Sequence, residues 1–498
     1  MLFNSVQFIV FFPIVLIVYF LIPKKIKNVW LLLASYFYYM CWNVKYIILI
    51  LISTILTYLS GLLIDKVQKS ECDDAVKKRR KNWIVAGSFI SNVGILFIFK
   101  YLDLMVEIIN WITAHTGINI TVPYFNLLLP VGISFYTLQA LSYTMDVYRG
   151  EVYAEKNFIQ YALFVSFFPQ LVAGPIERSK TLLKQLSVYA PFSFENLRDG
   201  TLLMLWGYFL KLVLADRIAL VVDKIFDEYT EYPGWYIAVA SGLFLVQVYC
   251  DFAGYSTIAR GAARILGIEL MENFDAPLLS ASVAEYWRRW HMSMTSWFRD
   301  YLYFPLGGSR RGRLRKYINI MIIFIVSGLW HGAGLTYVVW GGINGLYQVI
   351  GDILKPVKAA VVKRLYINPK MLGAKIIGII TTFSLISFVS IIMRATSIPQ
   401  AVDIMAKLFS VNNVWILLDG SLFECGLDKN GFMLLMAMLA VLTAADICKY
   451  NGIVIRDIIL RQDRWFRCVF FAVSILVIMI FGIYGPVYDS AAFVYFQF

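Results

Sequence analysis

Apolar runs long enough to cross about 30 Å of hydrocarbon recur from one end of the chain to the other, separated by short polar loops. Residues 6–22 form the first run and end at Pro23-Lys24-Lys25. Residues 29–42 and 46–64 read as a hairpin that returns to the densest charge run, where Lys66, Lys69, Lys77, Lys78, Arg79, Arg80 and Lys81 stand among a few acids. Residues 83–100 and 127–148 follow. The segment between them, around Trp111, His115 and Pro123, is too polar for a full span and is expected outside the hydrocarbon. Residues 158–175 are apolar, yet Lys156 flanks one end and Arg178 with Lys180 the other. The same charge at both ends predicts a re-entrant or interfacial segment, whose backbone is tolerated at membrane depth only when protein or water surrounds it. Residues 201–222, 235–258, 317–329, 335–350, 372–393, 432–448 and 468–485 complete the set.

The pattern predicts an all-α polytopic membrane protein with roughly a dozen crossings. Lys and Arg concentrated in short loops mark the cytoplasmic side, and the loop charges agree with both termini outside. No polar linker divides the 498 residues, so one membrane domain over 1–498 is expected. The first run has neither a basic stretch before it nor a small-residue cleavage site after it, and is read as a retained span.

Composition strengthens this picture. Apolar residues make up 60% of the chain and charged residues 15%, against about a quarter charged in soluble domains. The net charge of +13 lies in separated loops rather than on one face, which argues against a nucleic-acid partner and for contact with membrane lipids. The six cysteines, Cys41, Cys72, Cys250, Cys425, Cys448 and Cys468, show no paired spacing and read as small buried hydrophobes. No metal site is expected.

Chemistry narrows to the histidines, of which the chain has three. An ionisable group inside a membrane is costly and marks a candidate functional site, and imidazole is the side chain suited to proton transfer near neutral pH. His291 lies in Glu285-Tyr-Trp-Arg-Arg-Trp-His-Met-Ser-Met-Thr-Ser-Trp-Phe-Arg-Asp-Tyr-Leu-Tyr-Phe-Pro305. Read as one helix, this stretch places Trp287, Trp290, Met294, Trp297 and Tyr301 on a single face. Such a face suits a membrane interface or the wall of a cavity entered from the cytoplasm. His331 lies in Ser327-Gly-Leu-Trp-His-Gly-Ala-Gly334. It is fifteen residues beyond Lys316, about 22 Å along a helix and well within the hydrocarbon. Gly328, Gly332 and Gly334 clear space for a second backbone or a substrate. The alternatives are an interfacial polar residue for His291 and a buried structural histidine for His331.

The runs Phe168-Pro-Gln-Leu-Val-Ala-Gly-Pro-Ile176, Tyr249-Cys-Asp-Phe-Ala-Gly-Tyr255 and Glu272-Asn-Phe-Asp275 join those around His291 and His331. Together, and in this order, they resemble the membrane-bound O-acyltransferase (MBOAT) family, in its bacterial polysaccharide-acetylating branch. The resemblance covers most of the chain, with core motifs over 168–334 and further spans over 372–498. It implies a funnel-shaped helical bundle in which the two histidines approach each other, with His331 catalytic and His291 its polar partner. It also implies acyl transfer from a thioester, acetyl-CoA, to a hydroxyl, with a polysaccharide as final acceptor and a separate extracytoplasmic acetyltransferase as partner. Trp290, Trp330, Arg289, Arg299 and Asn273 are the polar and aromatic candidates for substrate contact and oxyanion stabilisation.

The aromatic run Ala492-Phe-Val-Tyr-Phe-Gln-Phe498 resembles the aromatic terminus of polysaccharide-acetylating members. That likeness makes Tyr495 a transient acyl acceptor, whereas an aromatic anchor at the outer interface is the plainer reading. Two other functions stay open on the residues alone. A D-alanyl transfer subunit of teichoic acid modification would share the motifs, and a transporter without chemistry would show charged residues in mid-span and internal symmetry.

Overall fold

A computed structural model describes residues 1–116, 121–125, 127, 129–172, 174–369 and 371–484. The described residues hold helices and turns and no strand. They fall into two compact units, residues 1–201 with 258–271 and residues 202–257 with 272–498, of which 485–498 lie outside the described residues.

In the first unit the helices are α1 (Val6–Leu21), α2 (Lys27–Met40), α3 (Ile47–Gln68), α4 (Asp74–Thr116), α5 (Ile133–Arg149), α6 (Phe158–Ser166), α7 (Phe168–Leu171) and α8 (Ser179–Ser187), followed by the start of α9 (Phe194–Tyr208). Small polar residues are buried beside large ones such as Phe8, Tyr38 and Tyr161, while many branched apolar residues face outward. Ser53 donates to Asn92 Oδ1 at 2.6 Å, Asn92 donates to the Ser88 carbonyl at 2.9 Å, and Tyr161 donates to Thr57 Oγ1 at 2.6 Å. Ile9, Val10, Ile14, Ile17 and Leu21 on α1 are exposed. An apolar exterior around a partly polar interior is what a bundle solvated by lipid needs, because interhelical hydrogen bonds and small residues help hold helices together there.

Residues 158–175, read as re-entrant, form a broken helix. α6 ends at Phe167 and α7 restarts at once, with the Phe168 amide donating to Ser35 Oγ at 3.1 Å. A side-chain hydroxyl thus satisfies the backbone donor freed by the break. The polar stretch near Trp111 and His115 does not leave the helix, since α4 runs 43 residues without interruption. At 1.5 Å per residue it is about 64 Å long, far more than a bilayer's hydrocarbon needs.

The second unit holds the end of α9, a wide-turned π segment (Phe209–Ala215), α10 (Asp216–Asp227) and most of α11 (Trp235–Ile265). After residue 272 come α12 (Val283–Arg289), α13 (Met292–Phe298), a second π segment (Arg299–Tyr303) and the pair α14 (Arg313–His331) and α15 (Leu335–Ile353). The helices α16 (Lys355–Arg364), α17 (Leu372–Arg394), α18 (Ile398–Leu408), α19 (Lys429–Tyr450), α20 (Ile455–Leu460) and α21 (Arg464–Phe481) complete it. The run expected at 201–222 is one continuous helical path whose middle widens into π turns. On α21 only Ile478 is buried, while Val469, Val473, Leu476, Met479 and Ile480 face outward.

Six helices of the described residues are long and apolar enough to cross a membrane: α3 with its preceding turn, α4, α11, α17, α19 and α21. That is fewer than the dozen runs read from the sequence. Several of those runs are short or broken, such as α1 with 16 residues and α6 with 9. The cysteine expectation holds for Cys250 and Cys425, which are buried. Cys72 and Cys448 are half-buried, and Cys41, in the turn after α2, and Cys468, on the largely exposed α21, are exposed. No group of three potential metal ligands occurs among the described residues.

Candidate active site

The stretch around His291 is not one helix. α12 ends at Arg289, Trp290 is extended, and His291 takes φ 41°, ψ 56° in the left-handed region before α13 begins. The expected single face of Trp287, Trp290, Met294, Trp297 and Tyr301 is therefore split at its centre. A non-glycine residue in this region costs about 1–2 kcal/mol and persists only when its surroundings impose it.

Those surroundings come from residues 273–275, which run alongside the break. The Met292 amide donates to the Asn273 carbonyl at 2.9 Å, and the Asp275 amide donates to the Arg289 carbonyl at 3.0 Å. The Asn273 side chain adds two more links, accepting the Ser293 amide at 3.3 Å and donating to Ser256 Oγ on α11 at 3.2 Å. Ser293 Oγ lies 3.5 Å from His291 Nδ1. Asn273, His291 and Ser293 are fully enclosed. The ring of Phe252, also on α11, meets the His291 imidazole edge-on at 4.7 Å.

His331 is the last residue of α14. The Gly332 amide donates to the Gly328 carbonyl at 3.2 Å, and the chain turns through Gly332–Gly334 into α15. The glycines clear space as expected, but protein fills it. A Cβ on Gly328 would stand 2.2 Å from the Tyr337 carbonyl oxygen, and one on Gly332 would stand 2.2 Å from the Tyr337 ring. Gly341 meets Phe324 and Gly328 in the same way, so α14 and α15 pack backbone to backbone.

Trp330 joins the two histidines. Its ring lies 5.0 Å from that of His331 and 5.9 Å from that of His291. Trp340, absent from the sequence-derived set, closes the other side of His331 at 5.2 Å and meets Trp287 at 5.8 Å. The result is a buried pair of imidazoles walled by Phe252, Trp330 and Trp340.

The remaining candidates sit differently. Trp290 is buried among Tyr286 at 5.3 Å, Phe274 at 5.1 Å and Tyr249 at 6.3 Å. Arg289 pairs with Asp275 at 2.7 Å and Glu285 at 3.1 Å, and its guanidinium stacks on Tyr450 at 4.4 Å. Arg299 belongs to a π turn, pairs with Asp300 at 3.0 Å and leaves its side chain 58% exposed. Tyr495 lies outside the described residues. Sequence reasoning missed Phe252, Ser256, Ser293 and Trp340. The first two lie in or beside the run Tyr249–Tyr255, and nothing about Trp340 distinguishes it from packing tryptophans until α15 folds back on α14.

Comparison with known proteins identifies the family. The model of the MBOAT, membrane-bound O-acyltransferase family, matches residues 39–392. The chain is 34% identical over 415 residues to the probable alginate O-acetylase AlgI of Pseudomonas syringae pv. tomato, over 82% of this chain and 75% of that protein. It is 31% identical over 448 residues to the peptidoglycan O-acetyltransferase of Helicobacter pylori, over 83% of this chain and 81% of that one. Similarity to the teichoic acid D-alanyltransferase of Bacillus subtilis is 26% over 237 residues, 44% of this chain and 58% of that protein.

Proposed function

This chain belongs to the membrane-bound O-acyltransferase family and is an acyltransferase of the membrane, and from that premise we propose that it moves acetyl groups for O-acetylation of an extracellular or cell-wall polysaccharide. The donor in this reading is a cytoplasmic thioester, acetyl-CoA. The chain works in a bacterial cytoplasmic membrane beside an extracytoplasmic acetyltransferase. The relatives named for alginate and peptidoglycan acetylation support the acceptor class. The match to the D-alanylating relative covers about half as much of the chain, which makes that reading the weaker one.

The observation that carries the mechanism is the buried His291–Trp330–His331 arrangement. His331 acts as general base. Its neutral imidazole takes the acceptor hydroxyl proton as that oxygen forms a bond to the thioester carbonyl carbon. The tetrahedral intermediate collapses by breaking the C–S bond, and the departing thiolate takes the proton back from the imidazolium. His291 is the second polar group facing the reaction. Trp290 and Trp330 bound the acyl end of the donor, and the exposed Arg299 meets its phosphates. Arg289 and Asn273, each engaged by neighbours, serve as braces for the His291 turn. The acceptor hydroxyl in the step at His331 is the phenol of Tyr495, which carries the acetyl group toward the outer face as an ester. A second hydroxyl, of the partner acetyltransferase or the polymer, then attacks the ester carbonyl, and the phenol leaves with that hydroxyl's proton.

The test replaces His331 with Ala in cells that also express the neighbouring genes, and measures ester-linked acetate on the surface polymer. Loss of acetate at normal protein level is expected; unchanged acetate removes His331 from the mechanism. Tyr495→Phe examines the relay separately, with loss of polymer acetate but continued thioester hydrolysis as its expected signature.

A further inference from the structure

Among the described residues, the most deeply buried ion pairs of the second unit lie outside the site described so far. Lys211 sits in the π segment of residues 209–215. Its ammonium lies 2.8 Å from Asp216 and 2.7 Å from Asp251, and all three side chains are at most 2% exposed. One ammonium thus faces two carboxylates among Phe209, Leu212, Val213 and Leu214, which are themselves buried. Charges removed from water this completely persist only when geometry and neighbours compensate them, and such groups serve to select one arrangement over others.

What the cluster selects follows from where Asp251 stands. It is on α11, next to Phe252, whose ring touches His291 at 4.7 Å. One turn later Ser256 accepts the hydrogen bond from Asn273. Residues 252 and 256 therefore share the face that holds the His291 turn, while 251 reaches Lys211. The helices also meet closely at Gly254, where a Cβ would stand 2.8 Å from the Gly207 carbonyl oxygen and 3.1 Å from the Lys211 backbone nitrogen. Small residues permit that approach but leave rotation about the helix axis unset. The ion pair sets it, because turning α11 by one residue would carry Asp251 away from Lys211 and Phe252 away from His291. The π geometry contributes as well, since a widened turn at 209–215 re-aims Lys211 relative to a regular helix.

We propose that Lys211, with Asp216 and Asp251, is a positioning cluster that locks the rotation of α11 and thereby the placement of His291. The two ion pairs join Lys211 to carboxylates rather than to an imidazole, and the cluster acts on His291 through Phe252 and Ser256. The functional part of this inference rests on the acyltransfer reading above; the structural part does not.

The experiment uses the full chain in detergent micelles, labelled with 15N in its histidine rings. Three histidines give a spectrum simple enough to assign with His115→Gln and His331→Gln. The test variant is Asp251→Leu, which removes the link while leaving Lys211 paired with Asp216. The His291 resonances are expected to move and those of His115 to stay. Turnover of acetyl-CoA should fall at least tenfold in kcat, with KM within twofold. Asp251→Asn, which keeps an acceptor for Lys211, should restore part of both. If Asp251→Leu fails to accumulate, Asp251→Asn against the parent chain carries the same comparison. Folded variants whose His291 resonances coincide with the parent's overturn the proposal. A parent chain that turns over no acetyl-CoA, with His291 still displaced in the variant, sinks the transferase reading and leaves the positioning role standing.

Discussion

The indole of Trp330 stands at 77° to the imidazole of His331, its neighbour in sequence, with ring centroids 5.0 Å apart. Two adjacent residues on a regular helix diverge by about 100°, so their side chains rarely share a partner. Here the rings of the last two residues of α14 stay in contact, and the same indole reaches His291 at 5.9 Å.

Trp330 is accordingly expected to behave as a spacer between the imidazoles. Trp330→Ala should lower acetyl transfer by about 10²-fold, the scale of a small displacement of reacting groups. Trp330→Phe, which keeps an aromatic wall, should retain most of it. Initial rates of thiol release from acetyl-CoA by the purified chain check the order of the three.

The left-handed backbone at His291 separates its side-chain role from its conformational one. Asn and Gly enter this region at little cost, whereas a β-branched residue does not. His291→Asn should keep the turn at little backbone cost, whereas His291→Val should lose about 1–2 kcal/mol more than His291→Asn, seen as a lower midpoint in detergent thermal denaturation.

Asn273 holds the same turn through its side chain, so Asn273→Ala removes the links to Ser293 and Ser256 together. Buried hydrogen bonds lost this way cost about 1–3 kcal/mol where a partner is left unsatisfied. Asn273→Ala is therefore expected to lower both Tm and turnover, and the loss should be far smaller on a His291→Gly background if the two residues act as a unit.

Gly332 admits no side chain without moving Tyr337, because a Cβ would lie 2.2 Å from its ring. Gly332→Ala should destabilise the α14–α15 turn. Tyr337→Ala in the same chain should recover much of the loss by vacating the space. Thermal midpoints of the single and double variants decide whether the two are coupled.

Glu177 makes stability depend on pH. Burial raises its carboxyl from an ordinary 4.5 to about 7, against the opposing pull of the Met271 and Arg178 amides and the charges of Arg178 and Arg260. The folded chain therefore holds a proton that the unfolded chain releases. This contribution to stability is complete below about pH 4.5 and gone above about pH 7. Glu177→Gln should flatten that slope and raise Tm at pH 8, measured by thermal denaturation across pH 5 to 8.

The periodic runs that make this a membrane protein were legible in the sequence, and so were both histidines and the aromatic residues beside them. Where those runs break or run on was not. Hydropathy over a window cannot see that α6 breaks at Phe167 or that α4 continues past its apolar portion to Thr116. The break at His291 was hidden for a related reason. Trp287, Trp290, Met294 and Trp297 have faultless helical spacing, and the left-handed turn is imposed by Asn273, a residue of another segment.

By itself, then, the sequence determined the solvent this chain folds in and the side chains able to do chemistry, because both follow from residue type and local spacing. Only the tertiary structure decided that His291 and His331 share Trp330, that Tyr337 fills the space beside Gly332, and that Lys211 meets Asp251 across 40 positions of chain. Contacts between distant segments depend on which helix faces meet. Packing and the pairing of buried charges settle that choice, and no local pattern encodes it.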